Sequence, residues 1–233
     1  MDWHIIHIEE TDSTNRWLRN HGDRENTVVV AEYQTAGRGC GSNTWESEHG
    51  KNLLFSVLLH PENIAVSRQF HISMVVSMAI SEALGQHIGD LSIKWPNDIY
   101  WRNGKICGIL IENRIQSSII KDSIVGVGIN VNQRTFRSDA PNPVSLWQIC
   151  EQDTDRELLL RDILQNIARL MGTDVRQQYL SMLYRRNGFH PYVDGHGAFM
   201  AEIADIEPDG HLLLRDDNDN IRRYTFKEVQ FVI

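Results

Sequence analysis

Cysteine is scarce in this chain, with three in 233 residues. Cys40, Cys107 and Cys150 are odd in number, far apart and in no CxxC spacing, which offers no zinc site and suits a reducing cytoplasm. No apolar run approaches the ~20 residues of a membrane-spanning helix. The start, Met1-Asp2-Trp3-His4, has neither the basic region nor the apolar stretch of a secretory signal. Positive charge is also short: 23 Lys and Arg against 31 Asp and Glu leave a net charge of −8. That argues against a nucleic-acid surface spread over the whole protein, which needs a basic stripe, but leaves room for a local cationic pocket. Three nucleotide or hydrolase signatures are missing as well. There is no GxxxxGK[ST], no GxGxxG opening a helix after the first strand, and no GxSxG elbow, so a P-loop, a dinucleotide fold and an α/β-hydrolase are all disfavoured. No internal repeat or low-complexity linker interrupts the chain.

What is present is ordinary for a globular protein, 41% hydrophobic and 23% charged residues, enough for one large domain or one domain with a small appendage. Apolar runs predict strands at 4–10, 27–31, 52–59, 91–93, 99–101, 106–111 and 123–132. Helical spacing predicts helices just after the polar cluster 11–15, over 66–88, after a Thr154–Glu157 capping box, and over 175–184. The pair Asn103-Gly104 reads as a hairpin turn that returns Lys105 towards Lys94 and Asp98. From about residue 190, four or five short strands separated by turn clusters read as a small β-barrel appended to an α/β domain.

The stretch Tyr33 to Trp45, YQTAGRGCGSNTW, follows the strand at 27–31. Gly37, Gly39 and Gly41 let a backbone turn tightly and bring its N–H groups to a ligand, and Arg38 among them suits a carboxylate or a phosphate. A surface turn with a solvated arginine fits the glycines equally well. Ser13 and Thr14 read either as helix caps or as hydroxyl donors into a pocket. Gly108, Gly126 and Gly128 interrupt strands where packing favours side chains, which signals close approach of backbone or ligand. With them go the cations Arg38, Lys94 and Lys105, the amides Gln34, Asn97 and Asn130, the acid Asp98, and the aromatics Trp45 and Trp95. Such an inventory suits bringing two anions together, with fixed cations against their repulsion and an aromatic to stack on a base.

The segments TDSTN (11–15), QTAGRG (34–39) with Trp45, KWPND (94–98), GKICGILIE (104–112) and GVGIN (126–130) resemble, in order and spacing, the motifs of biotin protein ligases. The resemblance covers about residues 5–135, and the small C-terminal β unit fits it. It implies an α+β fold: a class II aminoacyl-tRNA-synthetase-like mixed sheet with flanking helices over 1–187, and an SH3-like barrel over 188–233. The implied enzyme is a cytoplasmic biotin–protein ligase that makes biotinyl-5′-AMP from biotin and Mg²⁺-ATP. It then passes biotin to a lysine of a biotin carboxyl carrier domain. Arg38, Lys105 and Asp98 would be catalytic. Ser13, Thr14, Asn15, Gln34, Arg38, Lys105 and Gly108 would hold biotin; Arg38, Gly39, Cys40, Trp45, Lys94, Asn97 and Asn130 would hold ATP and the adenylate, Trp45 stacked on adenine and Asn130 at its edge. No protein-built metal site, DNA or membrane is implied, since the chain starts at the first strand without a helix-turn-helix, and either a monomer or a homodimer is compatible. Lipoate–protein ligase and a non-catalytic biotin or adenylate sensor are the rival readings; KWPND and GRG favour biotin, and Lys105 opposes a sensor.

One position departs from the pattern. The family's loop often carries a second arginine just after GRG, and here that position is Cys40. The loop therefore has less cationic grip on an adenylate. Cys40→Arg is expected to slow release of biotinyl-AMP from the enzyme, measured by stopped filtration against wild type; equal release rates would refute a role for the missing charge.

Overall fold

Two strands buried along most of their length stand near the centre of the molecule: β2 (Thr27–Gln34) and β3 (Leu53–Leu59). Such unbroken apolar runs form when both faces of a sheet are covered. The computed structural model describes residues 1–22, 26–41, 43–138 and 140–233. In it β1 (His4–Thr11), β2, β3, β4 (Leu91–Lys94), β5 (Asp98–Trp101), β6 (Gly104–Gln116) and β7 (Ile119–Ile129) form a seven-stranded sheet of order β1-β2-β3-β7-β6-β5-β4. Only the β1–β2 pair in it is parallel, joined by helix α1 (Thr14–His21); the other neighbours are antiparallel.

The period-2 alternation of each strand divides the sheet's work. Val28, Val30, Phe55, Val57, Val125, Val127 and Ile129 join the main core with helices α2 (Phe70–Leu84) and α4 (Arg156–Leu170). Their neighbours in sequence face the other way, where Val29 and Leu58 pack on Leu18 of α1. The same side carries Ser56, Gly126, Gly128 and Asn130, and there the sheet is left open for a site. α2 is buried almost all round, which explains its apolar composition.

After a short helix α3 (Leu146–Cys150), α4 and α5 (Arg176–Ser181), the strands β8 (His190–Asp194), β9 (Gly197–Ile206), β10 (Leu212–Asp216), β11 (Ile221–Tyr224) and β12 (Val229–Phe231) pair antiparallel in the order β11-β10-β9-β8-β12. Among the described residues no pairing joins β11 to β12. The sheet curls so that a four-residue link carries the chain from one edge to the other, a span of at most about 18 Å. Its inner residues Tyr192, Leu212, Leu214 and Val229 belong to the same apolar cluster as the large sheet. Trp95 stitches the two units: its Nε1 donates to Gly210 O at 3.0 Å and its ring meets Phe226 edge-on at 6.0 Å. Trp95 is thus a packing residue. No helix among the described residues is long and apolar enough to cross a membrane.

Several expected boundaries move for local reasons. The hairpin loop is Arg102–Asn103, with Trp101 paired to Gly104 and Arg102 at φ 51°. Gly104 serves packing, since a Cβ there would lie 2.7 Å from Val144. β6 and β7 run on past 111 and start before 123, closing through Ser117 and Ser118 at φ 51° and 66°; a turn with two positive φ values usually signals itself by Asn-Gly, and here no glycine marks it. The cap of α4 is Asp155, whose carboxylate accepts from the Glu157 and Leu158 N–H groups at 2.9 and 3.1 Å. Thr154 is held outside the helix because Asn132 takes its N–H and C=O. The helix expected over 66–88 is a 3₁₀ turn at Val66–Arg68 followed by α2, and 175–184 shortens to α5.

Gly126 shows how tightly the open face is built. A Cβ there would collide with Asn15 Oδ1. Asn15 cannot give way, because its Nδ2 donates to Glu112 Oε2 at 2.9 Å and its Oδ1 lies 2.6 Å from Ser56 Oγ. Gly126→Ala is expected to lower stability by about 1–3 kcal/mol through this overpacking, read as a fall in the thermal unfolding midpoint; an unchanged midpoint would mean that Asn15 relaxes freely.

Candidate active site

The open face of the large sheet holds a cavity of about 680 Å³. Its floor is β6 and β7, and its sides are the start of α1, the turn 96–98 and the described residues of the flap 37–45 and of the segment 136–143. Phe226, in the link between β11 and β12, closes one rim. All but one of the sequence-predicted site residues line this single space: Ser13, Thr14, Asn15, Gln34, Arg38, Gly39, Cys40, Trp45, Asn97, Asp98, Lys105, Gly108 and Asn130.

One end is polar and buried. Ser13, Thr14 and Asn15 are each at most 4% exposed, a rare state for such side chains without partners. Thr14 donates from both its N–H and its hydroxyl to Gln34 Oε1, at 2.8 and 3.1 Å. Ser56 Oγ lies 2.7 Å from Thr14 Oγ1. Gln34 is thereby fixed with its acceptor used, and its amide N–H₂ has no hydrogen-bond partner among the described residues. Ser13 stands at the N-cap of α1, yet its side chain makes no capping bond, so its hydroxyl remains available to the cavity.

The flap explains the glycine density. Trp45 N–H donates to Gly37 O at 2.9 Å and Gly39 N–H to Asn43 O at 2.8 Å, while Arg38 and Thr44 form a bridge. A Cβ at Gly37 would stand 2.7 Å from Trp45 O. The glycines thus let two flap strands cross closely. Gly39 lines the cavity, with its N–H spent inside the flap. Arg38 is exposed at the cavity and has no ion pair among the described residues. Cys40 lies half-buried beside it.

Trp45 rests on the floor. Gly108 and Gly128 are cross-strand partners, and a Cβ on either would come within 2.8 or 2.6 Å of the indole. The indole Nε1 is buried without a partner. Lys105 Nζ is 5.9 Å from the ring and 2.6 Å from Asp98 Oδ2. The backbone of Lys105 is clamped on its outer side, its N–H donating to Asn142 O and its C=O accepting from Val144 N–H. Asn130 is buried with Nδ2 donating to Val144 O at 3.1 Å, while Oδ1 has no partner. An orphaned buried acceptor costs stability unless something supplies a donor, and an amino group on a ligand is such a donor.

Lys94 is the exception. It borders a neighbouring space of about 410 Å³ in the seam between the two sheets, with its ammonium 5.6 Å from the Tyr100 ring and 5.1 Å from the Phe231 ring. Lys94 pairs with Asp98 in register, but its ammonium lies over the two rings while Asp98 turns its carboxylate to Lys105. Burial pushes the Lys94 ammonium below the ordinary lysine range, against the pull of Asp98 and with help from Lys105 and Arg185. Tyr100, also on the cavity, is pushed up to about 12, mainly by burial.

Glu46 was not marked by any motif. Its Oε1 accepts from Arg137 N–H at 2.9 Å and Gln133 Nε2 at 3.3 Å, and its Oε2 from Ser138 N–H at 2.7 Å. It fastens the flap to the segment 136–143, whose contribution to the site is also absent from the motif pattern. Adjacency to GVGIN was the only hint of it. Among the described residues the one group of potential metal ligands is Glu207, Asp209 and His211, away from this cavity, and Arg223 already donates to Glu207 Oε2 at 2.7 Å.

The chain matches the biotin/lipoate A/B protein ligase family over residues 7–130. It is 28% identical to the bifunctional ligase/repressor BirA of Bacillus subtilis over 99% of this chain and 74% of that protein. With BirA of Escherichia coli it shares 32% identity over 88% of this chain and 67% of the relative; for BirA of Bacillus spizizenii the covered share of the relative is 52%, so the chain spans about half to three quarters of these proteins. The structure of the biotin protein ligase from Aquifex aeolicus in complex with biotin and ATP superposes with a TM-score of 0.82 at 26% identity, covering 98% of this chain and 99% of that one.

Burial alone would raise the Glu46 carboxyl, but the hydrogen bonds from Ser138, Arg137 and Gln133 prevail and hold it below its ordinary 4.5. The tether is therefore complete above that value and is lost as pH falls through the lowered one. Glu46→Gln is expected to speed hydrogen exchange at the Arg137 and Ser138 amides at pH 7, and acidified wild type is expected to approach the variant. Exchange that is indifferent to Glu46 would remove the latch.

Proposed function

The chain belongs to the biotin/lipoate A/B protein ligase family, and we propose that its cavity carries out biotin–protein ligation in two half-reactions. The observation that carries this reading is one space with a buried polar end at 13–15 and 34, two cations at its middle, and an unpaired buried acceptor at Asn130. The enzyme activates biotin with ATP and transfers it to a lysine of a biotin carboxyl carrier domain. Residues 1–187 would form the catalytic part, and 188–233 the SH3-like unit that contributes Phe226 to its rim.

In the first half-reaction a biotin carboxylate oxygen attacks the α-phosphorus of ATP. The new C–O–P bond forms as the bond to the β-phosphate breaks, and the electron pair leaves with pyrophosphate. Two anions must meet for this, and at an effective dielectric of 20 two unit charges 4 Å apart repel by roughly 4 kcal/mol. Arg38 and Lys105 offset that repulsion from fixed positions, Arg38 through its fork of donors and Lys105 as a point charge. Asp98 holds the Lys105 ammonium at 2.6 Å, which orients it. Ser13 and Gln34 hydrogen-bond the ureido end of biotin, with Thr14 and Asn15 keeping those groups in place, and Gly108 lets its chain lie against the strand. Trp45, seated on the glycine floor, presents a face for the adenine. Asn130 Oδ1 accepts from its amino group, and Asn97 and Cys40 border the phosphates.

In the second half-reaction an acceptor lysine amine attacks the acyl carbon of the mixed anhydride, an amide forms, and AMP leaves with the bonding pair. Magnesium enters such sites with its nucleotide and takes one or two carboxylates beside phosphate oxygens. Asp98 is the carboxylate presented beside Lys105, so the donor set fits a nucleotide-borne ion, which when bound would neutralise phosphate charge.

Lys105→Ala is expected to reduce biotin-dependent exchange of pyrophosphate into ATP by about a hundredfold or more, the usual cost of losing a preorganised charge at a developing anion, with thermal unfolding unchanged. Near-normal exchange would overturn the role given to Lys105. The parent activity is read as ATP-dependent labelling of a carrier domain on an avidin blot. Exchange with lipoate but not biotin would move the reading to lipoate ligation.

A further inference from the structure

The polar end of the cavity rests on a chain of groups that leads out to the surface. Ser56 stands beneath it on β3, fully buried and off the cavity lining. Its Oγ lies 2.7 Å from Thr14 Oγ1 and 2.6 Å from Asn15 Oδ1. Asn15 in turn donates from Nδ2 to Glu112 Oε2 at 2.9 Å and to Leu110 O at 3.3 Å. Both of those partners only accept, so the Asn15 amide has one orientation, with Oδ1 towards Ser56. Among the described residues Ser56 is the one donor to that oxygen. Glu112 is held from outside by Arg19, which lies 2.6 Å from its other carboxylate oxygen. A single line of contacts therefore runs from a surface ion pair, through Asn15, Ser56 and Thr14, to the Gln34 amide.

Counting hydrogens gives this line a direction. Gln34 Oε1 and Asn15 Oδ1 only accept, and between them stand two hydroxyls with one hydrogen each. Those two hydrogens serve three oxygen–oxygen contacts, of 3.1, 2.7 and 2.6 Å. While Thr14 donates to Gln34, Ser56 has to choose, and one short contact is left with lone pairs facing each other. Turning the Thr14 hydroxyl to Ser56, and Ser56 to Asn15, fills both short contacts. It empties only the longest, and Gln34 Oε1 keeps the Thr14 N–H at 2.8 Å. The Glu112 carboxylate favours that order, because every donor then points along the line towards its negative charge and the bonds polarise one another. In the turned order Thr14 Oγ1 and Gln34 Oε1 regain lone pairs, and the polar end presents acceptors.

We propose that Ser56 and Glu112 are positioning residues that set the polarity of this end, and that the end thereby selects a ring bearing N–H donors, the cyclic urea of biotin, over acids without them. The inference rests on the ligase reading and extends it. A ligand N–H at Thr14 Oγ1 completes the turned order, since it donates into the oxygen whose own hydrogen has gone to Ser56. A dithiolane or a plain acyl chain brings no such hydrogen. It leaves buried acceptors unpaired, which is the strongest way a site built for hydrogen bonds rejects an analogue that lacks them.

The test uses the full chain and calorimetric titration with biotin and with its two cyclic carbamate analogues, in each of which one ureido N–H is replaced by a ring oxygen. Wild type is expected to bind at least one carbamate about tenfold more weakly than biotin, the scale of one buried hydrogen bond. Ser56→Ala is expected to weaken biotin by a similar factor and to leave that carbamate nearly unaffected, so that the preference disappears, while the KM for ATP stays at its wild-type value. Glu112→Gln, at a partly exposed site, is expected to reduce the preference in the same direction and keeps the test open should Ser56→Ala fail to fold. Arg19→Met loosens the same helix without reversing any donor and is expected to keep the preference. Equal weakening of biotin and carbamate in the Ser56 and Glu112 variants overturns the proposal, because packing alone acts on both ligands alike. So does a preference lost in Arg19→Met, which would make helix placement the cause, or a wild type that binds biotin and both carbamates equally. Wild type that binds no biotin and makes no biotinyl-AMP would instead defeat the ligase reading.

Discussion

The site depends on the absence of two side chains. Gly108 and Gly128 face each other across β6 and β7, and the Trp45 indole lies where their Cβ atoms would be. Everything above the floor takes its height from that contact. Trp45 anchors the end of the flap, and its N–H bond to Gly37 O sets the crossing that leads to Arg38. Glu46, the next residue, ties the flap to the segment carrying Arg137 and Ser138. That segment runs on to Asn142 and Val144, which clamp the backbone of Lys105. One close approach thus links both cations to the same platform. Interiors packed at crystal-like density transmit a one-methyl change, so a side chain at either glycine acts well beyond its own volume.

Electrostatics then divides the labour between two spaces. The main cavity balances its charges internally, which suits a site that must admit a small carboxylate without collapsing around it. The seam is lined by Lys94 and Lys227, with no carboxylate on its lining among the described residues. The two units are also fastened mechanically, through Trp95 to Gly210 and Arg176 to Asp205 and Ile206. These bonds fix the spacing on which a shared cavity depends. The small sheet is therefore packed as part of one core rather than tethered beside it.

The motifs were legible because their chemistry forces residue types. Glycines at alternate positions of a strand can be read from the chain, as can a buried-polar triplet ahead of a helix and a lysine just past a hairpin. The structure gathers Ser13, Gln34, Arg38, Trp45, Asp98, Lys105 and Asn130 around one space. What was not legible has physical reasons too. Ser117 and Ser118 turn a hairpin without glycine, so the strands on either side were read short. Thr154 and Asp155 are both good caps, and the choice between them was made by Asn132, twenty-two residues earlier. Glu46 and the segment 136–143 carry no spacing rule, because their bonds run to backbone N–H groups that any residue supplies. That the Gly39 N–H is taken by Asn43 O depends on the flap crossing, which no motif spells out.

The sequence by itself determined most strands and helices around the large sheet, the chemistry their motifs suit and most of the residues that meet there, because periodicity and turn chemistry act over a few residues. The tertiary structure decided what depends on two distant segments meeting. It placed Lys94 in the seam instead of the main cavity, with its ammonium over the Tyr100 and Phe231 rings. It brought Phe226 and Lys227 from the far end of the chain to the flap. It also gave the glycines of the flap and floor their reasons, because only the folded chain shows which side chain each missing Cβ makes room for.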